Sequence, residues 1–403
     1  MKVYKNVSEL VTLKDAHKKD GRRLNPEDLS IIENGAIAFD QDKILWVGET
    51  KNLPQEYESF EAQDFTGKTL IPELVDSHTH IVFGGNRSKE YLMRLNGADY
   101  QEIAKAGGGI LHTMAKTNES SMQELYDLAI QRIQRLNSFG IGTIEIKSGY
   151  GLNIDKEREL SILIDDLKKH FFPKIQIKNT YMAAHAVPQK YKSSSDYLDQ
   201  EVIPLLKELA SMGIIDAVDI FFERGYFDHT DTENLFNICD ELKIPFKLHA
   251  DEFYDNKGAL LGAHRNALSC DHLLCTDIDG IKALAKSNTV ANLLPGTGLF
   301  LGKPQANARA FLDQGVKVAI GSDYNPGSCH FDNLLLIASI AAPIYKMNVA
   351  ELVSAITLNA SHALGIKDQG ALIKGLRPRF TVFDCPTLAE VFYNWGKNFT
   401  LPC

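Results

Sequence analysis

Cysteine is scarce in this 403-residue chain and falls in no pattern that could define a fold. Cys239, Cys270, Cys275, Cys329, Cys385 and Cys403 stand far apart, with no C-x-x-C pair. This excludes a dense disulfide framework and fits reduced thiols in a cytoplasmic protein. Long apolar runs are missing as well: the longest, from Leu334 to Tyr345, is too short to span a bilayer and contains Pro343. The opening Met1-Lys2-Val3-Tyr4-Lys5-Asn6 lacks the apolar stretch of a secretory signal, so a cytoplasmic location is expected. Positive charge is in deficit, 43 Lys and Arg against 52 Asp and Glu, for a net −9. That argues against nucleic acid and anionic membrane as partners. It leaves room for a small anionic substrate, which a local basic group can bind inside an acidic protein. Internal repeats and low-complexity tracts are absent too.

What the chain does have is the mix of a soluble globular protein with a large core, 44% apolar and 24% charged residues. The first stretch reads as short strands, at 31–39 and 43–47, broken by Asn34-Gly35 and Asp40-Gln41-Asp42. From about Leu70 the pattern becomes apolar strand, loop, amphipathic helix, repeated. Strands are predicted at 75–82, 143–147, 179–184, 217–222, 246–250, 267–273, 289–294 and 316–322. Between them, Ser121 and Glu124 form a capping-box signature ahead of Leu125, Ala129, Ile133 and Leu136 on one helical face. Gly140 stands where a glycine would end that helix. Weaker helices are expected at 157–170, 201–212, 233–242 and 307–314. Alternation implies a parallel sheet, and eight units suggest closure into a (β/α)₈ barrel. An open doubly wound sheet is the alternative, but no G-x-G-x-x-G follows the first strand. After Gly365 a β pattern returns, at 379–384 and 388–393. The expected organisation is a composite β-sandwich module from residues 1–69 and 366–403 beside a barrel spanning 70–365.

Chemistry concentrates first in Val75-Asp76-Ser77-His78-Thr79-His80. Strand residues two apart face the same side, so His78 and His80 can grip one ion, at the strand end where barrels place their active sites. An isolated H-x-H is more often two unrelated histidines. Three later residues change that: His249, His272 and Asp323 each follow an apolar run, where a barrel strand opens into its loop. Imidazoles with a carboxylate suit Zn²⁺ or iron better than Mg²⁺ or Ca²⁺. An ion with an open position brings the pKa of water to about 7. Glu252, just beyond His249, could orient water or move a proton, although taken alone it reads as a solvated loop residue. Gly107-Gly108-Gly109 is not followed by Gly-Lys-Ser/Thr, so a flexible active-site loop fits better than a phosphate loop.

At these residues the chain resembles the amidohydrolase superfamily. Over roughly residues 70 to 365 it is similar, more closely, to the imidazolonepropionase family within it. The closer likeness rests on longer strings. These are Asp76 to His80 followed by Phe83-Gly84-Gly85-Asn86-Arg87, then Gly107-Gly108-Gly109-Ile110, Glu145-Ile146-Lys147-Ser148-Gly149-Tyr150-Gly151 and Ala184-His185-Ala186-Val187-Pro188. His249-Ala250-Asp251-Glu252 and Gly321-Ser322-Asp323-Tyr324-Asn325-Pro326-Gly327-Ser328 complete the set. The resemblance implies a mononuclear site with His78, His80, His249 and Asp323 holding one Zn²⁺ or Fe²⁺/Fe³⁺ per chain. It implies hydrolytic opening of 4-imidazolone-5-propanoate to N-formimino-L-glutamate, in histidine degradation. Arg87, Tyr150, His185, Glu252, Asn325, Gly327 and Ser328 would then contact substrate, and Glu252, His272 and Asp323 would act in catalysis.

Each implied role has a plain physical basis. Arg87 offers a fork of donors suited to a propionate carboxylate, although a lone arginine is more often at the surface. Tyr150 and His185 could hydrogen-bond the ring or the carboxylate, or serve as buried structural partners. Gly327 and Ser328 could bring backbone N–H groups to an anion, yet an ordinary Asn-Pro-Gly turn would look the same. The order of proton transfer among Asp323, Glu252 and His272 stays open, as does the choice between zinc and iron.

Two positions depart from the superfamily pattern. Its usual Pro-Gly is Pro72-Glu73 here, and a terminal Ala-Asp-Leu reads Arg379-Phe380-Thr381. No lysine ends the fourth barrel strand (Phe221-Phe222-Glu223-Arg224), which argues against a carbamylated lysine bridging two metals. A nucleobase deaminase would use the same metal set, but Arg87 with Tyr150 and His185 favours a substrate bearing a carboxylate. A non-catalytic scaffold should have lost ligands, and all four are present. The expected partners are a small-molecule substrate and a second copy, a homodimer being the commonest oligomer.

Overall fold

The computed structural model describes residues 1–98, 102 and 107–401, so Cys403 lies outside the described residues. Eight strands, β6 (Leu74–Asp76), β7 (Ile141–Lys147), β8 (Gln176–Ala184), β9 (Ala217–Phe222), β10 (Leu248–Ala250), β11 (Ser269–His272), β12 (Val290–Leu293) and β13 (Val318–Ile320), form one sheet in sequence order. All neighbours are parallel. The last strand meets the first through a Thr79–Tyr324 bridge. There Asp323 donates its N–H to His78 O at 3.0 Å, and His80 donates to Tyr324 O at 2.9 Å. The sheet is therefore a closed (β/α)₈ barrel.

Local sequence explains the elements. Along β7 every residue is buried. Ile144 and Ile146 join the apolar core outside the sheet, while Glu145 and Lys147 form ion pairs inside the barrel. The helix Met122–Ser138 begins where Ser121 accepts from Glu124 N and buries Leu125, Ala129, Ile133 and Leu136. It ends before Gly140, whose φ of +87° suits glycine.

A second sheet gathers strands from both chain ends: β1 (Lys2–Val11), β2 (Ile31–Phe39), β3 (Ile44–Glu49), β4 (Glu61–Asp64), β5 (Thr69–Pro72), β14 (Phe380–Phe383) and β15 (Thr400–Leu401). Its order is β15-β14-β5-β1-β2-β3, with β4 also against β1. Val7, Leu10, Ile37, Phe39, Ile44, Leu70, Leu372 and Val382 form its core. This is the small β-sandwich module of the expected fold class.

Segment 388–393 corrects the sequence reading. It is a helix, Leu388–Tyr393, not a strand. Thr387 caps it by accepting from Glu390 N, and Thr387 with Glu390 is a helix-start signature that outweighs the β-forming Val391-Phe392-Tyr393. The predicted first barrel strand, 75–82, is also shorter: ladder pairing stops at Asp76 and the chain runs on through the Thr79 bridge.

The two departures from the superfamily pattern meet each other. Arg379 donates through Nε to Glu73 Oε2 at 2.9 Å, and its Nη2 lies 2.7 Å from Oε1. Thr143 adds a bond of 2.7 Å to the same carboxylate. A side chain at Gly142 would collide with Glu73. Glu73 has no positive φ, so the glycine usual at that position is not needed for backbone reasons.

Candidate metal centre and active site

His78 and His80 lie just past β6, His249 within β10, and Asp323 three residues beyond β13, so barrel closure sets all four at one end. His78 Nε2 and His80 Nε2 are 3.3 Å apart. Asp323 Oδ1 is 3.5 Å from the first and 3.9 Å from the second. Nitrogens of His78, His80 and His249 all lie within 4.8 Å of one another. All four residues are buried. Burial, reinforced for His78 by the Lys147 charge and for His80 by the neighbouring His185, pushes both imidazoles well below their ordinary pKa. Burial and neighbouring His272 do the same to His249. Neutral imidazole is the ligand form.

The surrounding residues orient these groups. Asp271 Oδ2 is 2.5 Å from His78 Nδ1, which leaves Nε2 free to face its neighbours. Asp219 Oδ2 lies 3.1 Å from His249 Nδ1 without forming a hydrogen bond to it. Both carboxylates belong to an ion cluster with no solvent exposure. Lys147 Nζ is 2.6 Å from Asp219 and 2.9 Å from Glu145. Lys247 Nζ is 2.8 Å from Glu145 and 3.4 Å from Asp271. Burial opposes the charge on Lys147, but Asp219, Glu145 and Asp271 raise its pKa above the ordinary value. Burial likewise opposes ionisation of Asp271, yet Lys247 and Lys147 hold its pKa below the usual carboxylate value. Glu145, Asp271 and His78 also lie close enough to grip an ion, but the two ammonium groups already stand against those carboxylates. This second group is therefore already neutralised by lysine.

Buried imidazoles whose nitrogens lie within 4.8 Å of one another, together with a carboxylate, match the donor set of zinc or iron. His80 Nδ1 is buried with no hydrogen-bond partner among the described residues. Thr297 donates its hydroxyl to Asp323 Oδ2, so Oδ1 is the oxygen turned toward His78 and His80. Asp323 and His272 both adopt positive φ, +54° and +79°. Such backbone costs about 1–3 kcal/mol per residue and is characteristic of functional sites.

A cavity of about 770 Å³ opens above this group. It is lined by His80, His249 and Asp323, by Glu252 and His272, and by Arg87, Tyr150, His185, Asn325, Gly327 and Ser328. Every residue expected from the sequence reaches it except His78, which lies beneath. His272 Nε2 is 3.6 Å from Glu252 Oε2. Burial pushes Glu252 up to about 8, helped by Asp323 and Glu223. Burial raises Asp323 to about 7 and lowers His272 and His185 to about 4. His185 Nδ1 donates to Gly149 O at 3.1 Å beside Tyr150, whose hydroxyl burial keeps protonated. Asn325 Oδ1 accepts from the N–H groups of Gly327 and Ser328 at 2.8 Å each.

Sequence reasoning missed Thr297, Asp271, Glu90, Arg94 and Lys303; the last two also line the cavity. Glu90 could have been found, since it follows Arg87 by three positions and such pairs meet on a helix. Thr297, on the helix Pro295–Leu301, and Asp271, on β11, act on residues far away in the chain, where spacing carries no signal.

The amidohydrolase family model matches residues 69–401. The imidazolonepropionase of Paracoccus denitrificans (strain Pd 1222) is 40% identical over 370 residues, covering 91% of this chain and 92% of that protein. That of Bacillus velezensis (strain DSM 23117 / BGSC 10A6 / LMG 26770 / FZB42) is 37% identical over 395 residues, 98% of this chain and 93% of the relative. Among solved structures, atrazine chlorohydrolase TrzN from Arthrobacter aurescens TC1 complexed with zinc superposes with a TM-score of 0.74 at 15% identity, over 99% of this chain and 93% of that one. Guanine deaminase from C. acetobutylicum with bound guanine gives 0.67 at 17% identity, over 97% and 94%. Fold and site together define a metal-dependent hydrolase. The chain belongs to the amidohydrolase family and, within it, to the imidazolonepropionases.

Proposed function

We propose that this site opens the ring of 4-imidazolone-5-propanoate, yielding N-formimino-L-glutamate, with His78, His80, His249 and Asp323 holding one Zn²⁺ or iron ion. The observation that carries this reading is the meeting of three pKa-lowered imidazoles and one carboxylate at the floor of a cavity that Arg87 also lines. The zinc bound by the structurally similar atrazine chlorohydrolase TrzN supports zinc, and iron fits the same donors. When bound, the ion supplies Lewis acidity that brings the pKa of a water to about 7.

The chain's own groups do the rest. Arg87 takes the propionate carboxylate and Tyr150 and His185 hold the ring, while Asn325, Gly327 and Ser328, bonded to one another in a turn, wall the cavity beside them. Asp323, aimed by Thr297, accepts a proton as the water oxygen bonds to the ring carbonyl carbon. Neutral His272 donates an N–H to the carbonyl oxygen as charge develops there. Glu252, protonated at neutral pH in the metal-free site, holds a ring nitrogen. Asp323 then returns its proton to the leaving nitrogen as the C–N bond breaks, so water is added across the amide.

The test follows absorbance of fresh 4-imidazolone-5-propanoate, with and without prior chelation, and identifies N-formimino-L-glutamate as product. Loss that chelation stops and added metal restores is expected. A fully metallated, folded protein that gives no acceleration over spontaneous decay would retire the reading. Metal analysis separates zinc from iron, and light scattering checks the expected homodimer.

A further inference from the structure

Glu90 is a buried carboxylate, 8% exposed, on the helix Ser88–Leu95. It makes two different attachments. Its Oε2 accepts from Arg87 Nε at 2.9 Å and lies 2.7 Å from Arg87 Nη2. Its Oε1 accepts from the backbone N–H of Gly109 at 3.2 Å. Gly109 precedes the helix Ile110–Glu119, and Gly109 and Ile110 both wall the active-site cavity.

An exposed pair at this spacing would contribute little, but here both side chains are nearly shielded from water, at 12% and 10% exposure. The partnership also has a cost to function, because it offsets the positive charge on an arginine meant for an anion. Orientation resolves this. Glu90 engages the Nε/Nη2 edge of the guanidinium and leaves Nη1 on the opposite side, against Gly327. A side chain at Gly327 would collide with Nη1. A planar, five-donor group held by one edge presents its remaining donors in a fixed direction.

We propose that Glu90 is a positioning residue for the substrate carboxylate. It acts through Arg87 and sets the distance between the anion-binding donors and the Gly109–Ile110 wall. The inference rests on the reading that Arg87 binds the propionate, and it governs substrate affinity more than turnover.

The test is a double-mutant cycle on the metallated enzyme, reading KM and kcat separately, with thermal melts to confirm folding. Glu90→Ala is expected to raise KM about tenfold with kcat within about twofold. Glu90→Gln should do so less, since its amide oxygen still accepts from Arg87 while its NH₂ cannot accept from Gly109; it carries the test if the alanine variant does not fold. Arg87→Ala combined with Glu90→Ala should be no worse than Arg87→Ala alone. Multiplying effects, or an unchanged KM in both Glu90 variants, would overturn the proposal while leaving Arg87 in place. An unchanged KM in Arg87→Ala would instead remove the carboxylate role of Arg87, and the inference with it.

Discussion

The backbone N–H of Asp323 donates to the carbonyl of His78 at 3.0 Å, so the bond that closes the barrel also joins two proposed metal ligands. Ligand spacing is therefore set by main chain, and the side chains can be changed without opening the barrel.

Asp323→Ala should accordingly leave a folded protein and lower kcat by about 10³-fold or more, in the upper range for loss of a proton-transfer group. Thermal melting and turnover, measured on the same sample, check both halves. Near-normal turnover would sink the proposed mechanism.

Arg87→Ala should raise KM by roughly 10- to 100-fold, the worth of a charge-assisted pair to a carboxylate, with a smaller change in kcat. Steady-state kinetics on the purified variant decide it.

The metal-free protein should show a pH-dependent stability traceable to Glu252. Burial, then Asp323 and Glu223, lift its carboxyl from 4.5 to about 8. The folded state therefore binds this proton more tightly than the unfolded state. Its contribution is fully present below about pH 4.5 and is lost as pH rises through about 8. Glu252→Gln should match the parent's melting temperature at pH 4.5 and exceed it at pH 8.5. A difference that stays flat across this range would contradict the burial argument.

Lys147→Met should destabilise by about 3–5 kcal/mol, because it takes from Asp219 its ammonium partner in an interior with no solvent exposure. Urea denaturation would detect this. A loss under 1 kcal/mol would mean that the cluster re-pairs around Lys247.

The barrel was legible because each strand is an apolar run and each proposed ligand a polar residue at its end, a signal carried within a few residues. His249 and Asp323 could be found that way. Lys147 could not be assigned from the same evidence: it appeared only inside a matching string, and its partners Asp219 and Asp271 lie on other strands. Segment 388–393 misled for the opposite reason, because β-branched and aromatic side chains hid a two-residue capping signal at Thr387 and Glu390. Glu73 and Arg379 read singly as departures; only the fold shows that they form one partly buried pair.

That junction has a consequence for synthesis. β5 leads directly into the first barrel strand, and its edge pairs with β14, Pro72 opposite Phe380. About 300 residues must be made between the two. At roughly 5–20 residues per second the β5 edge stays bare for ~15–60 s on the ribosome. All eight barrel strands precede residue 380, so the barrel can close while this edge still lacks its partner. A nascent chain stalled in that interval would carry a finished catalytic floor beside an open strand, the kind of edge that recruits a second chain.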